Sequence, residues 1–435
     1  MKKLLQLKTI LFTIIIIISN LSFAQTWDVY SDSLSMGRSV IYTSDSCILA
    51  TGTPNNGDAG ISMKIDINGN LLWTKPNGGY ALCETFDSGY IIASAMNYSK
   101  SRLRKLDSNG NLLWDSLYAG PAQSELRSVI QASDSGIIAC GYNANFGDST
   151  YYIFKTDKNG NFLWQKNIPL IGFGLAREVI EIKGNYYVIG FSGGSSSSLV
   201  VFIQLDANGT IILRKDIPLN YRAQAIAQYD DNSMVICGQD KVSKINLSGD
   251  TIWHKQFTGE MFDFYSISVT DNGNIIISGS KGYMLGYYDY EDDMILALDE
   301  NGNMVFTKIF HLDGDNSMAS LESVICLSNT DFVVCGYDKR NDSIKMRIIK
   351  YHNVDTDISG RNPELKSIIA FPNPTNGKVK IDTEGLINVW VMNVNGKLIL
   401  ESKNAEIDLR AFSKGVYLLR IFTKKGAYTE KIILQ

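Results

Sequence analysis

Histidine, proline and cysteine are scarce in this chain of 435 residues, which contains 3, 8 and 6 of them. The three histidines share no spacing, so they offer little material for histidine-based catalysis or for a zinc site. No two cysteines are adjacent, and no HExxH or phosphate-loop motif occurs. These absences weigh against the common metalloprotease and nucleotide-binding classes.

Basic residues are also fewer than acidic residues in the main body of the chain. Residues 25–367 contain 28 basic and 39 acidic residues, a net charge of −11, whereas residues 368–435 carry a net charge of +4. An acidic body has no electrostatic reason to bind nucleic acid or an anionic membrane. We therefore expect no nucleic-acid partner.

Long apolar runs are absent beyond the N-terminus. Residues 1–24 contain three lysines among the first eight residues. An apolar run follows from Ile10 to Ile18, and the small residues Ser22 and Ala24 lie at the end. The run is well short of the roughly 20 residues that span a bilayer. We predict a secretory signal peptide at 1–24 rather than a membrane anchor, and no transmembrane segment.

What the sequence does have is 37 glycines, 22 tyrosines and 18 phenylalanines, which favours short strands joined by tight turns. A motif K-x-D-x-x-G-x-x-x-W recurs, with copies of varying strictness that start at Lys64, Lys105, Lys155, Gln204, Lys244 and Ala297. A signature related to D-S-G alternates with it, near Asp45, Asp87, Asp134, Lys183, Asp230, Asp271 and Asn329. Asn-Gly in the first motif supplies the positive φ of a hairpin turn, and the D-S-G pieces are predicted to do the same one hairpin earlier. Each repeat therefore holds four strands.

Successive Trp-type positions lie 40 to 53 residues apart, which is the size of a four-stranded propeller blade. The last repeat lacks its fourth strand, whereas the segment from Trp27 to Tyr30 carries the Trp with no hairpin ahead of it. We predict an all-β, seven-bladed β-propeller over residues 25–352, in which this N-terminal strand completes the last blade beside Ser343 to Tyr351. Six or eight blades are the alternatives.

The Asp, Asn and Trp of the motif are predicted to serve architecture, with Trp packed between blades and Asp in turn hydrogen bonds. The alternative is calcium, because Asp66 to Asn70 (DINGN) resembles the start of an oxygen-rich loop. Its Gly comes too early for that loop, and no bidentate Glu follows. We expect no metal, no cofactor and no catalytic residue.

The cysteines are predicted to be buried small hydrophobic residues within strands. They are Cys47, Cys83, Cys140, Cys237, Cys326 and Cys335. Most occupy separate repeats and lie too far apart to bridge. Cys326 and Cys335 lie on adjacent predicted strands, so a disulfide between these two is the alternative.

One face of the ring is predicted to bind a ligand, because the two connections per blade that vary in length open on the same side. The longest runs from Ser280 to Asp293. The predicted binding residues are Tyr283, Tyr287, Tyr288, Asp289, Tyr290, Phe264 and Tyr265. Aromatic rings beside carboxylates suit a glycan, a cation or a peptide. The alternative is a set of solvated loops with a few packed aromatics.

The C-terminal part differs from the repeats. After a polar linker at 353–367, residues 368–435 predict about seven short strands and an Asn395-Gly396 hairpin, enough for a small Ig-like β-sandwich. Four segments resemble the type A C-terminal sorting domain of type IX secretion, the Por secretion system of the Bacteroidota. They are FPNPTNGKVKI (Phe371–Ile381), VNGKLI (Val394–Ile399), IDL (Ile407–Leu409) with KGVYLLRI (Lys414–Ile421), and KIILQ (Lys431–Gln435). Phe371 stands where the family more often has Tyr.

That resemblance implies recognition by the type IX machinery and export across both membranes. It also implies secretion or surface display, often with removal of the domain and attachment of the cargo to lipopolysaccharide. The repeats resemble the propeller-like arrays common in such cargo. We expect a monomeric, non-enzymatic propeller that binds a glycan or protein ligand.

Two other functions stay open: a propeller enzyme of quinoprotein or carbohydrate-active type, and a purely structural surface protein. The quinoprotein alternative is weakened because the Asp-to-Gly spacing from Asp66 to Gly69 is one residue shorter than that family's and the vicinal cysteine pair is missing.

Overall fold

The computed structural model describes residues 23–54, 60–96, 100–118, 123–145, 148–194, 197–258, 261–285, 288–310, 318–340, 343–353, 369–383, 385–393, 398–423 and 426–435. All regular structure in these ranges is β-strand. The chain divides into two compact units, residues 1–359 and 360–435, which are described separately. Most of the predicted signal peptide (1–24) and linker (353–367) lies outside the described residues, so the exact domain boundaries stay predictions.

The described residues of the first unit contain 27 strands, which pair in successive groups of four. They are β1 Phe23–Tyr42, β2 Cys47–Pro54, β3 Ser62–Asp66, β4 Leu71–Lys75, β5 Ala81–Glu84, β6 Tyr90–Met96, β7 Lys100–Leu106, β8 Leu112–Tyr118, β9 Gln123–Gln131, β10 Ile137–Asn145, β11 Asp148–Thr156, β12 Phe162–Pro169, β13 Gly174–Ile182, β14 Asn185–Gly194, β15 Ser197–Leu205, β16 Ile211–Ile217, β17 Ala225–Asp230, β18 Ser233–Gly238, β19 Lys241–Asn246, β20 Thr251–Gln256, β21 Met261–Val269, β22 Ile275–Leu285, β23 Tyr288–Leu298, β24 Met304–Phe310, β25 Met318–Cys326, β26 Asp331–Arg340 and β27 Ser343–Asn353.

Each group of four is an antiparallel sheet, and we call these sheets the blades. Six blades use four consecutive strands each, from β1–β4 to β21–β24, and the last uses β25–β27 and a return to β1. A single parallel bridge, Glu291 to Met318, joins β23 to β25 of the next blade. This is the β-propeller architecture that the repeats predict.

Strand β1 closes the ring because it belongs to two blades. Its first part pairs with β27, placing Trp27 opposite Lys350, and its second part pairs with β2. The Arg347 guanidinium donates to Asp28 of β1 at 2.8 Å and to the buried Asp293 of β23 at 2.9 Å. The closing strand is therefore held by backbone pairing and by an ion-pair bridge to the preceding blade.

The Asn-Gly turns follow one pattern, shown by the turn between β3 and β4. Gly69 donates its N–H to the Asp66 carbonyl and adopts a φ of +87°, and a register shift follows in the ladder. The Asp66 carboxylate accepts from the backbone N–H groups of Asn68 and Asn70, at 2.9 and 2.8 Å. The glycine alone has the positive φ, as in a type I turn followed by a bulge. The predicted role of Asp, to form the hydrogen bonds of the turn, is confirmed.

Three turns of the D-S-G signature differ from the prediction, because their positive φ belongs to serine: Ser46, Ser88 and Ser135 have φ values of 61°, 59° and 71°. In two other copies the glycine has the positive φ as predicted, at Gly184 and Gly273. Where a glycine follows the serine, it makes room for a side chain instead: a Cβ on Gly89 would lie 2.7 Å from Lys105 Nζ.

That lysine is the first residue of the repeat motif, and it is buried in the blade. Lys64 is 3% exposed, and its Nζ donates to Asp45 of the D-S-G turn at 2.6 Å and to the Tyr90 hydroxyl of the next blade at 2.8 Å. Lys105 and Lys155 form the same ion pair with Asp87 and Asp134. The two motifs thus hold each other in place within a blade.

Tryptophan packs between blades, as predicted. The ring of Trp73 lies against Gly110 in the Asn-Gly turn of the next blade, and Trp114 lies against Gly160 in the same way. Trp27 on the closing strand does the same to Gly69 and donates its Nε1–H to the Ile67 carbonyl at 3.0 Å.

All six cysteines are free. Cys335 lies opposite Ser323 and Cys326 lies opposite Phe332, so the disulfide left open in the sequence does not form. Cys140, Cys237 and Cys335 are buried as predicted. The prediction is wrong for three others, which are only half-buried: Cys47, Cys83 and Cys326.

The second unit contains seven strands in its described residues. They are β28 Ile369–Phe371, β29 Lys378–Asp382, β30 Leu386–Asn393, β31 Leu398–Ser402, β32 Glu406–Asp408, β33 Gly415–Thr423 and β34 Gly426–Leu434. Sheets β28-β29-β32 and β31-β30-β33-β34 share one apolar core that includes Val379, Val391 and Leu419. This two-sheet arrangement agrees with the predicted sandwich; the Asn395-Gly396 turn lies outside the described residues.

Candidate functional site: the central channel

The innermost strand of each blade is irregular at one equivalent position. In five blades this strand has a β-bulge, whose extra residue is Arg38, Arg127, Arg177, Tyr265 or Glu322. In the other two, the residue just before the strand takes that place. Tyr80 and Gln224 donate their backbone N–H groups to the carbonyls of Ala93 and Cys237.

These seven residues surround a cavity of about 510 Å³ that is lined by the innermost strand of every blade, and we call them the channel ring. They are Arg38, Tyr80, Arg127, Arg177, Gln224, Tyr265 and Glu322. A bulge turns two consecutive side chains to the same face of a strand, which is how each blade adds an extra side chain to the cavity. Bulges are frequent next to functional sites for this reason.

The residue after the bulge has an architectural role in four of the five bulged blades. The Ser323 hydroxyl accepts from the Val40 N–H of the next blade at 3.2 Å, and Ser128 accepts from Val179 at 3.3 Å. On β13, Glu178 occupies the position that serine has in these blades. Its carboxyl accepts a hydrogen bond from the Ile226 N–H at 2.7 Å. Burial raises the pKa of Glu178 to about 7. This position joins neighbouring blades by hydrogen bonds.

Part of the channel ring forms a continuous chain of charged and aromatic groups. Arg38 pairs with Glu322 at 3.2 Å, and its guanidinium carbon lies 5.8 Å from the centre of the Tyr80 ring. The Arg127 guanidinium lies 4.3 Å from that ring centre, so one tyrosine has a cation on either side. Arg127 also forms an ion pair with Glu125, which lies two residues earlier on the same strand.

Arg177 is the next residue of the channel ring after Arg127 and lies on the following blade. It is half-buried, its Nε atom is inaccessible to solvent, and no hydrogen-bond or ion-pair partner of its side chain lies among the described residues. Burial lowers the pKa of Arg177 to about 10, and the positive charge of Arg127 acts in the same direction. The arginine stays protonated at neutral pH.

The structure brings together few of the residues predicted to bind a ligand. Tyr265 lies in the channel ring, and its hydroxyl is 3.4 Å from the Ser280 hydroxyl. Phe264, its neighbour, is fully buried in β21 and packs against Phe257 and Phe262. The placement of Phe264 in a binding loop is therefore wrong: it is a core residue, since successive strand residues face opposite sides.

The predicted long loop from Ser280 to Asp293 is also wrong in form. Most of it extends β22 and β23 into one long hairpin, in which Tyr283 pairs with Tyr290 and Met284 with Asp289. Tyr288 pairs with Leu285 near the tip, and Tyr287 lies outside the described residues. Alternating tyrosines favour strand over loop, because aromatic side chains suit a pleated surface.

The sequence does contain a signal for the channel ring that the repeat motifs did not include. Four innermost strands share a tetrad of one charged residue, Ser or Glu, Val and Ile. It occurs at Arg38–Ile41, Arg127–Ile130, Arg177–Ile180 and Glu322–Ile325. In this tetrad the first residue is Arg or Glu and the second is Ser except at Glu178, whereas Val and Ile are the same in all four copies.

Nothing in the described residues indicates a metal centre: no group of three or more His, Cys, Asp or Glu side chains is placed to hold an ion. The same residues include no helix able to cross a membrane.

Comparison with known families decides the nature of the second unit. Residues 369–435 match the family model described as a secretion system C-terminal sorting domain. The C-terminal unit is a type IX sorting domain. This sorting domain makes the chain a cargo of type IX secretion, exported to the cell surface or the medium. No curated protein matches the chain.

Solved structures resemble the propeller at low sequence identity. The WD40 repeats of RRP9 are 8% identical with a TM-score of 0.51, covering 76% of this chain and 100% of that structure. BamB from Moraxella catarrhalis is 12% identical with a TM-score of 0.44, covering 76% and 100%. A protein of unknown function from Bacteroides caccae is 14% identical with a TM-score of 0.41, covering 64% and 94%. The RRP9 likeness supports the fold alone.

Proposed function

We propose that the propeller is a non-enzymatic binding module that holds a glycan or protein ligand outside the cell, with the channel ring as its binding site. Export is supplied by the sorting domain. The cavity of about 510 Å³ lies within the range of ligand pockets, and its lining combines charged, polar and apolar side chains.

One observation carries this proposal: the side chains of the channel ring change from blade to blade among Arg, Tyr, Gln and Glu around one cavity. The next residue along each innermost strand is small in six blades and is Glu178 in the seventh; the six are Ser39, Ala81, Ser128, Ala225, Ser266 and Ser323. The fold places the same structural demand on every blade, so variation in charge at an inward-facing position indicates selection for a property other than the fold.

The cost of these side chains supports the same conclusion. Arginine and glutamate lose hydration when they enter a cavity, and a ring of aliphatic residues would fold without that loss. Groups that reduce stability in this way are typical of functional sites. The partly paired arginines of the ring are the clearest case.

The experiment is a glycan and peptide array probed with the exported protein. We expect Tyr265→Ala, which removes a ring aromatic that the core does not need, to lose binding to the ligand the array identifies. Arg214→Gln is the matched control, because Arg214 is a solvent-accessible arginine on β16 paired with Asp216. Absence of any ligand while cells still adhere through the protein would favour a purely structural role instead.

A carbohydrate-active enzyme is the second candidate, and Glu178 favours it. A carboxyl beside the cavity with a pKa raised to about 7 has the property of a general acid. Turnover of an aryl glycoside that disappears in Glu178→Gln would support catalysis. Binding without turnover supports the binding module.

A further inference from the structure

The channel ring contains one arginine whose side chain makes no ion pair or hydrogen bond with a described residue. Arg38 is paired with Glu322, and Arg127 is paired with Glu125. Arg177 has no such partner among the described residues, because the nearest carboxyl in sequence, Glu178, accepts from the Ile226 N–H instead. The guanidinium of Arg177 therefore presents unused donors at the cavity.

An unpaired guanidinium in a cavity is unfavourable for the free protein. The group has lost part of its hydration and is repelled by Arg127 on the adjacent blade, while Glu322 and Glu125 attract it without forming an ion pair. A bound anion would restore both hydrogen bonds and charge balance. Arginine is suited to this, since its planar fork binds a carboxylate through two parallel hydrogen bonds.

The rest of the cavity limits the size and the chemistry of the anion. About 510 Å³ admits a molecule of monosaccharide or disaccharide size. Gln224 and Tyr265 follow Arg177 around the ring and add polar and aromatic surface. The other two arginines of the ring are already paired, so Arg177 is the ring arginine that is left to bind an anion.

We propose that the channel ring binds a small ligand through one carboxylate, which the Arg177 guanidinium holds beside Arg127. The proposal rests on the binding function proposed above and names the chemical class of the ligand. The carboxylate can belong to an acidic sugar or to the free end of a peptide, and the shared chemistry is the same.

The test is isothermal titration calorimetry on the exported protein with three probes. D-glucuronate represents an acidic sugar, N-acetylglycine a carboxylate without a sugar, and methyl β-D-glucoside a sugar without a carboxylate. We expect at least one carboxylate to bind and the glucoside not to bind. The stronger of the two carboxylates identifies the source.

The Arg177→Gln variant should weaken carboxylate binding by about 10-fold to 100-fold, the usual value of hydrogen bonds to a charged group. Arg177→Lys keeps the charge without the fork and should give an intermediate affinity. Arg214→Gln should bind as the parent does. A thermal unfolding scan of each variant shows that the propeller is still folded.

Two results would overturn the proposal: neither carboxylate binds the parent protein, or Arg177→Gln binds as the parent does. The proposed function can survive that failure. If the array identifies a ligand without a carboxylate and Tyr265→Ala still loses it, the binding module stands and the carboxylate assignment is wrong. If the array is empty as well, both are wrong.

Discussion

Closure of the ring through Trp27 gives the most quantitative prediction. The Trp27 side chain is half-buried against Gly69, and its Nε1–H donates to the Ile67 carbonyl at 3.0 Å. Truncating a fully buried tryptophan to alanine costs roughly 3–5 kcal/mol, so half-burial predicts about 2 kcal/mol. The lost hydrogen bond adds about 1 kcal/mol. We expect Trp27→Ala to lower the free energy of unfolding by about 3 kcal/mol.

Trp253 is the matched control for this change. It packs on Gly302 and donates to the Glu300 carbonyl at 3.1 Å, the same contacts in a blade that has no closing strand. Urea unfolding should give similar losses for both alanine variants. Amide hydrogen exchange should separate them, since Trp27→Ala alone should speed exchange in β1 and β27. A loss under about 1 kcal/mol with unchanged exchange in those strands would refute the role given to Trp27.

Further predictions concern the turn, the channel and the sorting domain. Gly69→Ala should destabilise more than Gly184→Ala in thermal unfolding: both have positive φ, but a Cβ at Gly69 would lie 2.9 Å from Trp27 and one at Gly184 meets nothing. The raised pKa of Glu178, about 7, means that the folded state binds the proton more tightly, so this group's contribution to stability falls as pH rises from about 4.5 to 7. Glu178→Gln should remove that part of the pH dependence of the unfolding free energy, and an unchanged profile would contradict it. Deleting residues 368–435 should leave the protein in the periplasm by cell fractionation, and normal surface display would contradict the sorting role.

The ring architecture could be predicted because its signals are local and repeated. Asn-Gly fixes a turn within a few residues, and Trp27 without a hairpin of its own identified the strand that closes the ring. The D-S-G glycine was misinterpreted for the opposite reason. Its function depends on a lysine in another strand, since Gly89 gives space to Lys105, and that packing does not show in the turn sequence.

The candidate site was harder to predict, because it is assembled from one residue per blade. The sequence predicts Tyr265 as a ligand-binding residue of a loop, whereas the structure places it in a strand bulge that lines the cavity, and the repeat motifs do not single out Arg177. A bulge adds a residue without changing the hydrophobic pattern on either side of it, so alternation does not reveal which side chain enters the cavity. The tetrad that the innermost strands share, as at Arg127–Ile130 and Glu322–Ile325, is the sequence signal that identifies the side chain of the channel ring.

The most direct test of the account is a crystal structure of the exported protein with the ligand that the array identifies. The account predicts density in the central cavity, within hydrogen-bonding distance of channel ring side chains and with Arg177 among them. Ligand density confined to the hairpin of β22 and β23, beside Tyr283 and Tyr290, would contradict it.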